Sequence, residues 1–224
     1  MKILAIIPAR GGSKGIPNKN MKLFSGKPLI EWTIISALQS KFIDRVFIST
    51  DDHKIANFAE NLGIKVPFLR DPKLSLDKSY IIDTVLSVMK KFSTYESMIL
   101  LQPTSPLRTS KDIDSVIKIG LEKNFQSVVS IAESIYAPQL FYSLSKKKTI
   151  SPLIKTEKAF NRQDFPLNYV INGACYFANK EFLFKNKKFI TDDTIGYVMP
   201  QERSIDIDTH FDWKIAQFLH KSNN

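Results

Sequence analysis

The opening segment of the chain places the tightest limit on its fold. Residues 3–7 form an uninterrupted apolar run closed by Pro8, and a glycine-rich basic loop follows at residues 10–20. A short apolar run of this kind indicates a strand that is buried on both faces, as in a parallel sheet. Residues 28–38 then carry apolar side chains at helical spacing. Strand, loop and helix in this order predict the start of a βαβ unit.

The same alternation continues along most of the chain. Further strands are predicted at residues 45–49, 66–69, 98–101, 127–131, 169–178 and 194–199. Helices are predicted after Asp51 or Asp52, after Ser79, after Ser110 and at residues 209–219. We therefore predict an α/β fold with a three-layer, mostly parallel sheet. The pattern breaks between residues 132 and 168, where prolines and a lysine turn predict hairpins that leave the sheet.

Length and composition favour one domain. A chain of 224 residues with 43% hydrophobic side chains can bury one sizeable core, so we expect a single domain over residues 1–224. Within it, residues 132–170 are an excursion suited to a dimer contact. The longest apolar runs fall far short of the ~20 residues of a membrane span, and nothing at the start resembles a signal peptide, so we expect a cytoplasmic protein. Cys175 lies in an apolar stretch and is expected to be a buried structural thiol.

The net charge limits the classes of molecule that this protein is expected to bind. The net charge of +10 is compatible with nucleic acid, an anionic membrane surface or a polyanionic small substrate. Most lysines are scattered, however, and the run at residues 146–148 sits between polar residues like the tip of a hairpin. No known nucleic-acid-binding motif is present. The charge therefore fits a nucleotide substrate without proving one.

The basic loop after the first strand has the chemistry of a phosphate site. Gly11, Gly12 and Gly15 would let the backbone approach a phosphate, while Arg10, Lys14 and Lys19 supply positive charge. The loop matches neither a Walker A motif nor a dinucleotide-binding motif, which argues against a P-loop ATPase and an NAD enzyme. The alternative is a mobile surface loop, but phosphate binding is favoured.

An acidic segment near the end of the chain suggests a metal site. If residues 204–209 are extended, Asp206 and Asp208 share one face, and two carboxylates together with substrate phosphates suit Mg²⁺. Alternatively, Asp208 or Thr209 caps the last helix, since Thr209 and Asp212 have the spacing of a capping box. Capping would leave Asp206 unexplained, so a metal role for at least one aspartate is favoured.

Two further loops follow predicted strands. In the loop at residues 102–108, Gln102 could recognise polar groups of a substrate. At residues 49–51, a helix cap by Asp51 and a ligand contact remain equally open.

Six segments together resemble a known family. They are IIPARGGSKGIPNKN at 6–20, STD at 49–51, LLQPTSPLR at 100–108, NRQ at 161–163, NGACYF at 172–177 and SIDIDT at 204–209. In this order they resemble the cytidylyltransferases that activate nine-carbon acidic sugars, the CMP-N-acylneuraminate (CMP-sialic acid) synthetase family. The resemblance extends from the first predicted strand to the last helix.

The resemblance implies a fold, an activity and a partner. The fold would be a Rossmann-like sheet of the nucleotidyltransferase type, and the protein would be a homodimer joined through the excursion at 132–170. The activity would be a Mg²⁺-dependent reaction of CTP with a free nonulosonic acid, giving the CMP-sugar and pyrophosphate. Neither nucleic acid nor a membrane would be a partner.

The resemblance also implies roles for residues on the nucleotide side. Arg10, Ser13 and Lys19, with Gly12 in the same loop, would hold the triphosphate, and Asn20 and Arg70 would recognise cytosine. Charge from Arg10 and Lys19 would relieve the repulsion between the attacking hydroxyl and the phosphates and would stabilise the leaving pyrophosphate.

On the sugar side, the resemblance implies that Gln102, Arg162, Tyr176 and Phe189 face the sugar acid. A guanidinium such as that of Arg162 suits a carboxylate because it can donate to both oxygens. Asp206 and Asp208 would hold the metal, with Asp208 among the catalytic groups. Which group accepts the proton of the attacking hydroxyl remains open.

Some positions depart from sialic acid enzymes of this family. Such enzymes carry a lysine near Pro138 and an arginine at the position of Val170, whereas this chain has Gln139 or Leu140 and Val170. One phenylalanine of a pair is replaced by Lys188, beside Phe189. Sialic, legionaminic and pseudaminic acids therefore remain open as substrates.

Two alternatives remain. A CMP-KDO synthetase, which activates an eight-carbon acid, shares the fold, but the NRQ and IDID segments disfavour it. A non-catalytic nucleic-acid-binding protein would use the +10 charge directly.

Overall fold

The computed structural model describes residues 1–13, 15–122, 126–155 and 166–222. The strands are Ile3–Pro8 (β1), Leu23–Phe24 (β2), Lys27–Pro28 (β3), Arg45–Ser49 (β4), Ser97–Leu101 (β5), Ser127–Glu133 (β6), Tyr142–Leu144 (β7), Ile150–Pro152 (β8), Tyr169–Asn179 (β9) and Ile195–Val198 (β10). The helices are Leu29–Leu38 (α1), His53–Asn61 (α2), Ile81–Lys91 (α3), Ser110–Glu122 (α4), Lys180–Asn186 (α5) and His210–Ser222 (α6). In this part of the chain, no helix is long and apolar enough to cross a membrane.

Six strands form the central sheet, in the order β10-β6-β9-β5-β1-β4. All neighbouring pairs are parallel except those of β9, which is antiparallel to both β5 and β6. The predicted mostly parallel α/β sheet is therefore confirmed. β9 runs in the opposite direction because the chain leaves β6 through an excursion and returns beside it, without the crossover helix that a parallel pair requires.

Side-chain alternation along the strands produces the three layers. On β1, Ile3, Ala5 and Ile7 belong to a buried cluster with α1, α2 and α4, and Leu4 and Ile6 belong to a second cluster with α3 and α5. Both faces of the strand are thus covered, as the continuous apolar run predicts. Full burial of a side chain of this size contributes roughly 1.5–3 kcal/mol, so the run accounts for much of the local stability.

A third buried cluster lies at one end of the sheet and holds the acidic segment in place. Trp213 and Ala216 of α6 pack with Phe24 and Leu29, and Ile207 is fully buried among them. The position of Asp206 and Asp208 on either side of Ile207 therefore depends on the docking of α6.

The described part of the excursion contains a hairpin, as predicted. β7 and β8 pair in antiparallel fashion, and the lysine turn at 146–148 lies at the tip of the hairpin. β6 continues to Glu133 and β9 begins at Tyr169, so the sheet itself extends into both ends of the predicted excursion.

Two local predictions are wrong. Residues 66–69 are irregular instead of forming a strand, because Pro67 has no amide proton for a sheet ladder. Helix α3 is not capped by Ser79: the helix begins at Ile81, and the Ser79 hydroxyl instead donates to the Lys73 carbonyl at 2.7 Å.

The prediction for the single cysteine is confirmed. Cys175 on β9 is completely buried. Burial raises the pKa of its thiol to about 12, so it is protonated at neutral pH and is poorly suited to act as a nucleophile.

Candidate active site

Three segments singled out in the sequence meet at one edge of the sheet. They are the basic loop after β1, the loop after β5 and the acidic segment before α6, and a cleft of about 310 Å³ opens between them. Its lining includes Arg10, Ser13, Lys19, Gln102 and Asp208. This is the edge where the parallel strands end, which is where ligands bind in open α/β sheets.

The basic loop is held by contacts that its glycines permit. The Gly11 amide donates to Asp51 Oδ1 at 3.0 Å, and a side chain at Gly15 would collide with the Asp208 carbonyl. Apart from its chain neighbours, no described residue lies within 4 Å of a Cβ built on Gly12, so the backbone there is open to a ligand. The loop is therefore anchored at both ends, with an approachable backbone between them.

Asp51 and Asp52 make different contacts: one binds the basic loop and the other caps a helix. Asp52 caps α2, since its carboxylate accepts from the Lys54 amide at 2.7 Å. Asp51 accepts from the basic loop instead. A helix cap by Asp51 is therefore wrong, and the second residue of the pair serves as the cap.

The two cationic side chains of the loop that the structure describes, Arg10 and Lys19, are each paired with a carboxylate. Lys19 Nζ donates to Asp208 Oδ1 at 3.0 Å and to the Ile207 carbonyl at 2.6 Å. Arg10 Nη1 donates to Asp77 Oδ1 at 3.0 Å. The Lys19 side chain is only 12% exposed whereas that of Asp208 is 74% exposed, so the lysine forms the wall of the cleft and the carboxylate faces its opening.

The capping alternative for the acidic segment is settled by geometry. Thr209 and Asp212 form the capping box: the Thr209 amide and hydroxyl both donate to Asp212 Oδ2, and the Asp212 amide donates to Thr209 Oγ1. The carboxylate of Asp208 is therefore not needed as the cap. The segment is not a strand, but Ile205 and Ile207 pack together on the core side, and the Ile207 amide donates to the Thr104 carbonyl at 2.8 Å.

Asp206 is half-buried behind Asp208 and has an unsatisfied oxygen. Its Oδ1 is buried with no hydrogen-bond partner among the described residues. Burial raises the pKa of the Asp206 carboxyl, the charge of Asp208 adds to the rise, and Thr104 and Lys19 oppose it. A buried carboxylate oxygen that lacks a donor is costly. A cation at this position would remove that cost.

Three of the four residues predicted to face the sugar acid lie together. Burial, the largest effect, raises the pKa of the Tyr176 hydroxyl, the charge of Asp206 adds to the rise, and the neighbouring Gln102 side chain opposes it. The rings of Tyr176 and Phe189 lie with their centres 5.2 Å apart. The described residues of this group, Gln102, Tyr176 and Phe189, are neutral.

Gly173 joins the sugar side to the acidic segment. It has a φ of +75°, and a Cβ built there would lie 3.4 Å from Asp206 Oδ2 and 3.6 Å from Gln102 Nε2. The glycine therefore permits both a left-handed backbone and the close approach of two site residues. Arg162, the fourth predicted residue, lies outside the described residues, as does Lys14.

The two residues predicted to recognise cytosine lie on either side of Arg10. Asn20 is buried, and its Nδ2 donates to the Arg10 carbonyl at 3.1 Å. Arg70 donates to the Ser49 hydroxyl at 3.1 Å and to the Ser49 carbonyl. Burial lowers the pKa of its guanidinium to about 10, and Asp51 opposes the shift. Arg70 lines a neighbouring cleft of about 300 Å³ that also borders Arg10 and Gln102.

Sequence reasoning missed two residues of the site. Asp77 pairs with Arg10 from a loop that carries no recognisable pattern, so no sequence signal could have indicated the contact. Arg108 ends the LLQPTSPLR segment and is buried beneath the site, at 2% exposure. A basic residue at the end of a polar loop is ordinarily solvated, and its burial here depends on β9, which lies far along the chain.

A family model described as cytidylyltransferase matches residues 4–209. The CMP-N,N'-diacetyllegionaminic acid synthase of Legionella pneumophila is 37% identical over 229 residues, which covers 100% of this chain and 98% of that protein. The N-acylneuraminate cytidylyltransferase of Streptococcus agalactiae is also 37% identical, over 95% of this chain and 52% of that protein. This chain therefore spans about half the length of the streptococcal relative.

A solved structure supports the fold. A CMP:2-keto-3-deoxy-manno-octonic acid synthetase complexed with CTP superposes with a TM-score of 0.74 at 17% identity, covering 100% of both chains. At this identity the likeness extends to the fold alone. Since the family model covers most of the chain and both relatives exceed 30% identity over nearly all of it, this chain belongs to the cytidylyltransferase family, and the resemblance drawn from its six segments is confirmed.

Proposed function

We propose that this protein joins CTP to a nonulosonic acid. The anomeric hydroxyl oxygen of the sugar acid attacks the α-phosphorus of CTP, the bond to the β-phosphate breaks, pyrophosphate leaves and the hydroxyl proton is released. The observation that carries the proposal is that Arg10, Lys19 and Asp208 share one cleft with Gln102. The lining of this cleft thus combines cationic, acidic and neutral polar groups.

The cationic residues would act by exchanging partners. Arg10 and Lys19 are each paired with a carboxylate. The phosphates of CTP carry more negative charge than these carboxylates and would take their place. Because CTP carries roughly four negative charges, neutralising them both binds the nucleotide and lowers the repulsion that the attacking hydroxyl meets. Lys19 is the better placed of the two because the Ile207 carbonyl already orients its ammonium group.

A divalent cation such as Mg²⁺ fits the acidic segment. Asp206 offers a buried oxygen without a donor, Asp208 offers an exposed carboxylate beside it, and Mg²⁺ prefers one or two carboxylates together with substrate phosphates. When bound, the ion would withdraw charge from the phosphates of CTP. Asp206 must give up any proton it holds to bind a cation, so its raised pKa predicts that metal affinity weakens as the pH falls.

The sugar side would recognise an acidic sugar by shape and by a few polar groups. Gln102 and Tyr176 provide hydrogen-bonding groups, and the ring of Phe189 provides an apolar wall. Arg162 remains the proposed partner of the sugar carboxylate. The relatives named for a legionaminic acid and for an acylneuraminate are equally similar to this chain, so the choice among nonulosonic acids stays open.

Family membership favours this function over both alternatives. The similarity to the KDO enzyme is a similarity of fold, at 17% identity, whereas the relatives that act on nine-carbon acids by name are 37% identical. The +10 charge is accounted for by an anionic substrate without nucleic acid.

The direct test measures pyrophosphate release from CTP and Mg²⁺ with a panel of sialic, legionaminic and pseudaminic acids and KDO. We expect release with at least one nine-carbon acid and much less with KDO. ATP and UTP in place of CTP control for the base. Silence across the whole panel, together with tight and salt-sensitive RNA binding, would overturn the proposal in favour of a nucleic-acid-binding protein.

The metal is tested separately from turnover. Mn²⁺ is used as a paramagnetic probe, and its binding to the protein without nucleotide is followed by electron paramagnetic resonance. We expect Asp206→Asn to weaken binding, while Asp192→Asn, an exposed aspartate in the turn before β10, leaves it unchanged. Equal binding by both variants would remove Asp206 from the metal site.

In a homodimer, the partner subunit would cover the exposed apolar side chains of the excursion. The segment from β6 to β9 exposes large apolar side chains that nothing in the described chain covers: Ile135, Tyr136, Leu140, Phe141, Tyr142, Leu144, Ile150, Leu153, Ile154, Leu167, Tyr169, Val170 and Ile171. A patch of this extent on a protein surface marks an interface. A second copy of this chain is the proposed partner, through a self-complementary contact.

Sedimentation velocity tests the dimer. Leu144 and Ile150, which face each other in the β7–β8 register, are 70% and 65% exposed. We expect the double variant Leu144→Glu, Ile150→Glu to sediment as a monomer while the wild type sediments as a dimer. Leu38→Glu, at an apolar position at the end of α1 that is 56% exposed, should remain dimeric. A monomeric wild type at micromolar concentration would contradict the proposal.

A further inference from the structure

Arg108 is a buried cation beneath the sugar side of the site. Its side chain has carbonyl acceptors: Nη1 donates to the Ala174 carbonyl at 2.8 Å and to the Gln102 carbonyl at 3.2 Å. Nε and Nη2 are buried and have no hydrogen-bond partner among the described residues. Burying a charge in this way is expensive, so stability alone is a poor reason for an arginine at this position.

The two carbonyls mark the place where β5 and β9 separate. The antiparallel ladder between these strands runs from Ser97 opposite Asn179 to Leu101 opposite Cys175. In that register the next pair is Gln102 and Ala174, but the ladder stops before it. Nη1 of Arg108 donates to the carbonyls of both residues instead. The guanidinium thus replaces the next step of the ladder and bridges the two strands where they part.

The residues next to this bridge are those of the sugar side. Gln102 is bridged directly, and its side chain lies near the hydroxyl of Tyr176, which is two residues after Ala174. Gly173, immediately before Ala174, approaches both the Gln102 amide and Asp206. A change in the separation of the two strands at Arg108 would therefore move Gln102 relative to Tyr176.

We propose that Arg108 is a positioning residue for the sugar acid: it holds the ends of β5 and β9 at the separation that aims Gln102 and Tyr176 at the substrate. Arg108 itself touches no substrate, since its Nε and Nη2 are buried below the cleft. The inference rests on the proposed function and deepens it, because it separates recognition of the sugar acid from binding of CTP.

Two variants test the proposal. Arg108→Met keeps an unbranched apolar stem without a hydrogen-bond donor, and Arg108→Lys keeps the charge and a single donor group. We expect the KM for the accepted sugar acid to rise about 10-fold in Arg108→Met, as for a lost hydrogen bond to a charged group, with the KM for CTP within about 2-fold of wild type. Arg108→Lys should restore part of the affinity, with a rise of about 3-fold, because one bridge can re-form.

Leu107→Ala is the matched structural control. Leu107 precedes Arg108 in the same loop, is buried in the cluster with α6 and cannot donate a hydrogen bond. We expect this variant to lower Tm at least as much as Arg108→Lys while leaving the KM for the sugar acid unchanged; because Leu107 packs in the cluster that holds the acidic segment, the KM for CTP is not part of this control. Arg108→Lys keeps the test available if Arg108→Met does not fold. Substrate-induced thermal shift, measured separately for the sugar acid and for CTP, provides a second readout.

The outcomes separate this inference from the proposed function. If the wild type releases no pyrophosphate with any acid, the proposed function fails before any variant is made. If the wild type is active and Arg108→Lys shows an unchanged sugar KM, or an equal rise in both KM values, the positioning role alone is overturned. A selective rise in the sugar KM that Leu107→Ala does not share supports it.

Discussion

The nucleotide side and the sugar side of the cleft use different physical means. On the nucleotide side, Lys19 and Arg10 are charged and already paired, and the carboxylate opposite Lys19 is mostly exposed. On the sugar side, Phe189 is buried against Tyr176, and the polar groups of the described residues, Gln102 and Tyr176, are neutral. One side has charges that a ligand can exchange, and the other has a shape that a ligand must fit.

This difference indicates which side of the cleft needs accurately placed side chains. Electrostatic attraction is long-ranged and tolerates small displacements, so the nucleotide side can function with flexible lysine and arginine side chains. Hydrogen bonds to a neutral sugar group weaken steeply with poor geometry, so Gln102 and Tyr176 need a rigid frame. The buried bridge from Arg108 to β5 and β9 lies under the sugar side only.

The largest expected effect is on the nucleotide side. Asp208→Asn keeps the size of the side chain but removes the charge beside Lys19, and we expect kcat to fall by about 1,000-fold with the fold intact. Pyrophosphate release measures the loss, and Tm reports the fold. Asp192→Asn is the control for an aspartate outside the cleft. Rates near wild type in Asp208→Asn would show that charge at this position does not matter.

Lys19→Met should have the next largest effect. It removes the ammonium group that the Ile207 carbonyl orients, and we expect kcat/KM for CTP to fall by about 100-fold. Lys22→Met, an exposed lysine of the same loop that stacks on Trp213, should change it by less than about 2-fold. The comparison between the two sides predicts that the KM for the sugar acid stays unchanged in Lys19→Met. A rise in the KM for the sugar acid would show that the two sides of the cleft are not independent.

A smaller effect is expected on the sugar side. Tyr176→Phe removes the hydroxyl beside Gln102, and we expect the KM for the sugar acid to rise about 5-fold, with the KM for CTP unchanged. Tyr95→Phe, which removes a hydroxyl from an aromatic cluster elsewhere, serves as the control. Equal changes in both KM values for Tyr176→Phe would show that the two sides are not independent.

The smallest effect on turnover is expected at an ion pair outside the cleft. Arg203, which precedes the acidic segment, donates to both carboxylate oxygens of Asp112, at 2.8 and 3.0 Å. Burial by itself would raise the pKa of Asp112, but hydrogen bonds from Arg203 and Thr109 outweigh it and hold the pKa below its ordinary value. We expect Asp112→Asn to lower Tm by about 2–8 °C at neutral pH, with activity nearly unchanged.

The pH dependence of this variant has a defined sign. Because the pKa of Asp112 is lower in the folded protein than in the unfolded chain, its stabilisation is complete above the ordinary aspartate pKa and is lost as the pH falls through the folded value. The Tm difference between wild type and Asp112→Asn should therefore shrink below about pH 4. Thermal melts from pH 3 to 7 measure it. A difference that grows toward acid would mean that the ion pair does not stabilise the fold.

The order of the elements and the core of the sheet could be predicted from local pattern. The continuous apolar run of β1 and the helical spacing in α1 depend only on neighbouring residues, and both predictions are confirmed. The strand predicted at residues 66–69 is wrong because hydrophobicity was weighed above Pro67. The direction of β9 could not be predicted, because it depends on where the excursion returns the chain.

The candidate site likewise has features that the sequence predicts and contacts that it does not. The basic loop and the acidic pair were identified because their residue types match phosphate and metal chemistry wherever they lie. Contacts between distant segments had no local signal: Asp77 with Arg10, and Arg108 with Ala174, join residues far apart along the chain. The buried state of Asp206 and its unsatisfied oxygen likewise depend on the docking of α6.

The amino-acid sequence alone determined the alternating α/β plan, the cationic loop, the paired aspartates and the likeness to the cytidylyltransferases, because each is a property of neighbouring residues. Only the tertiary structure decided that Asp208 faces Lys19 while Thr209 and Asp212 form the cap, and that Arg108 is buried between two strand ends. Those outcomes depend on long-range packing, in which the environment of a side chain is set by segments that only the folded chain brings together.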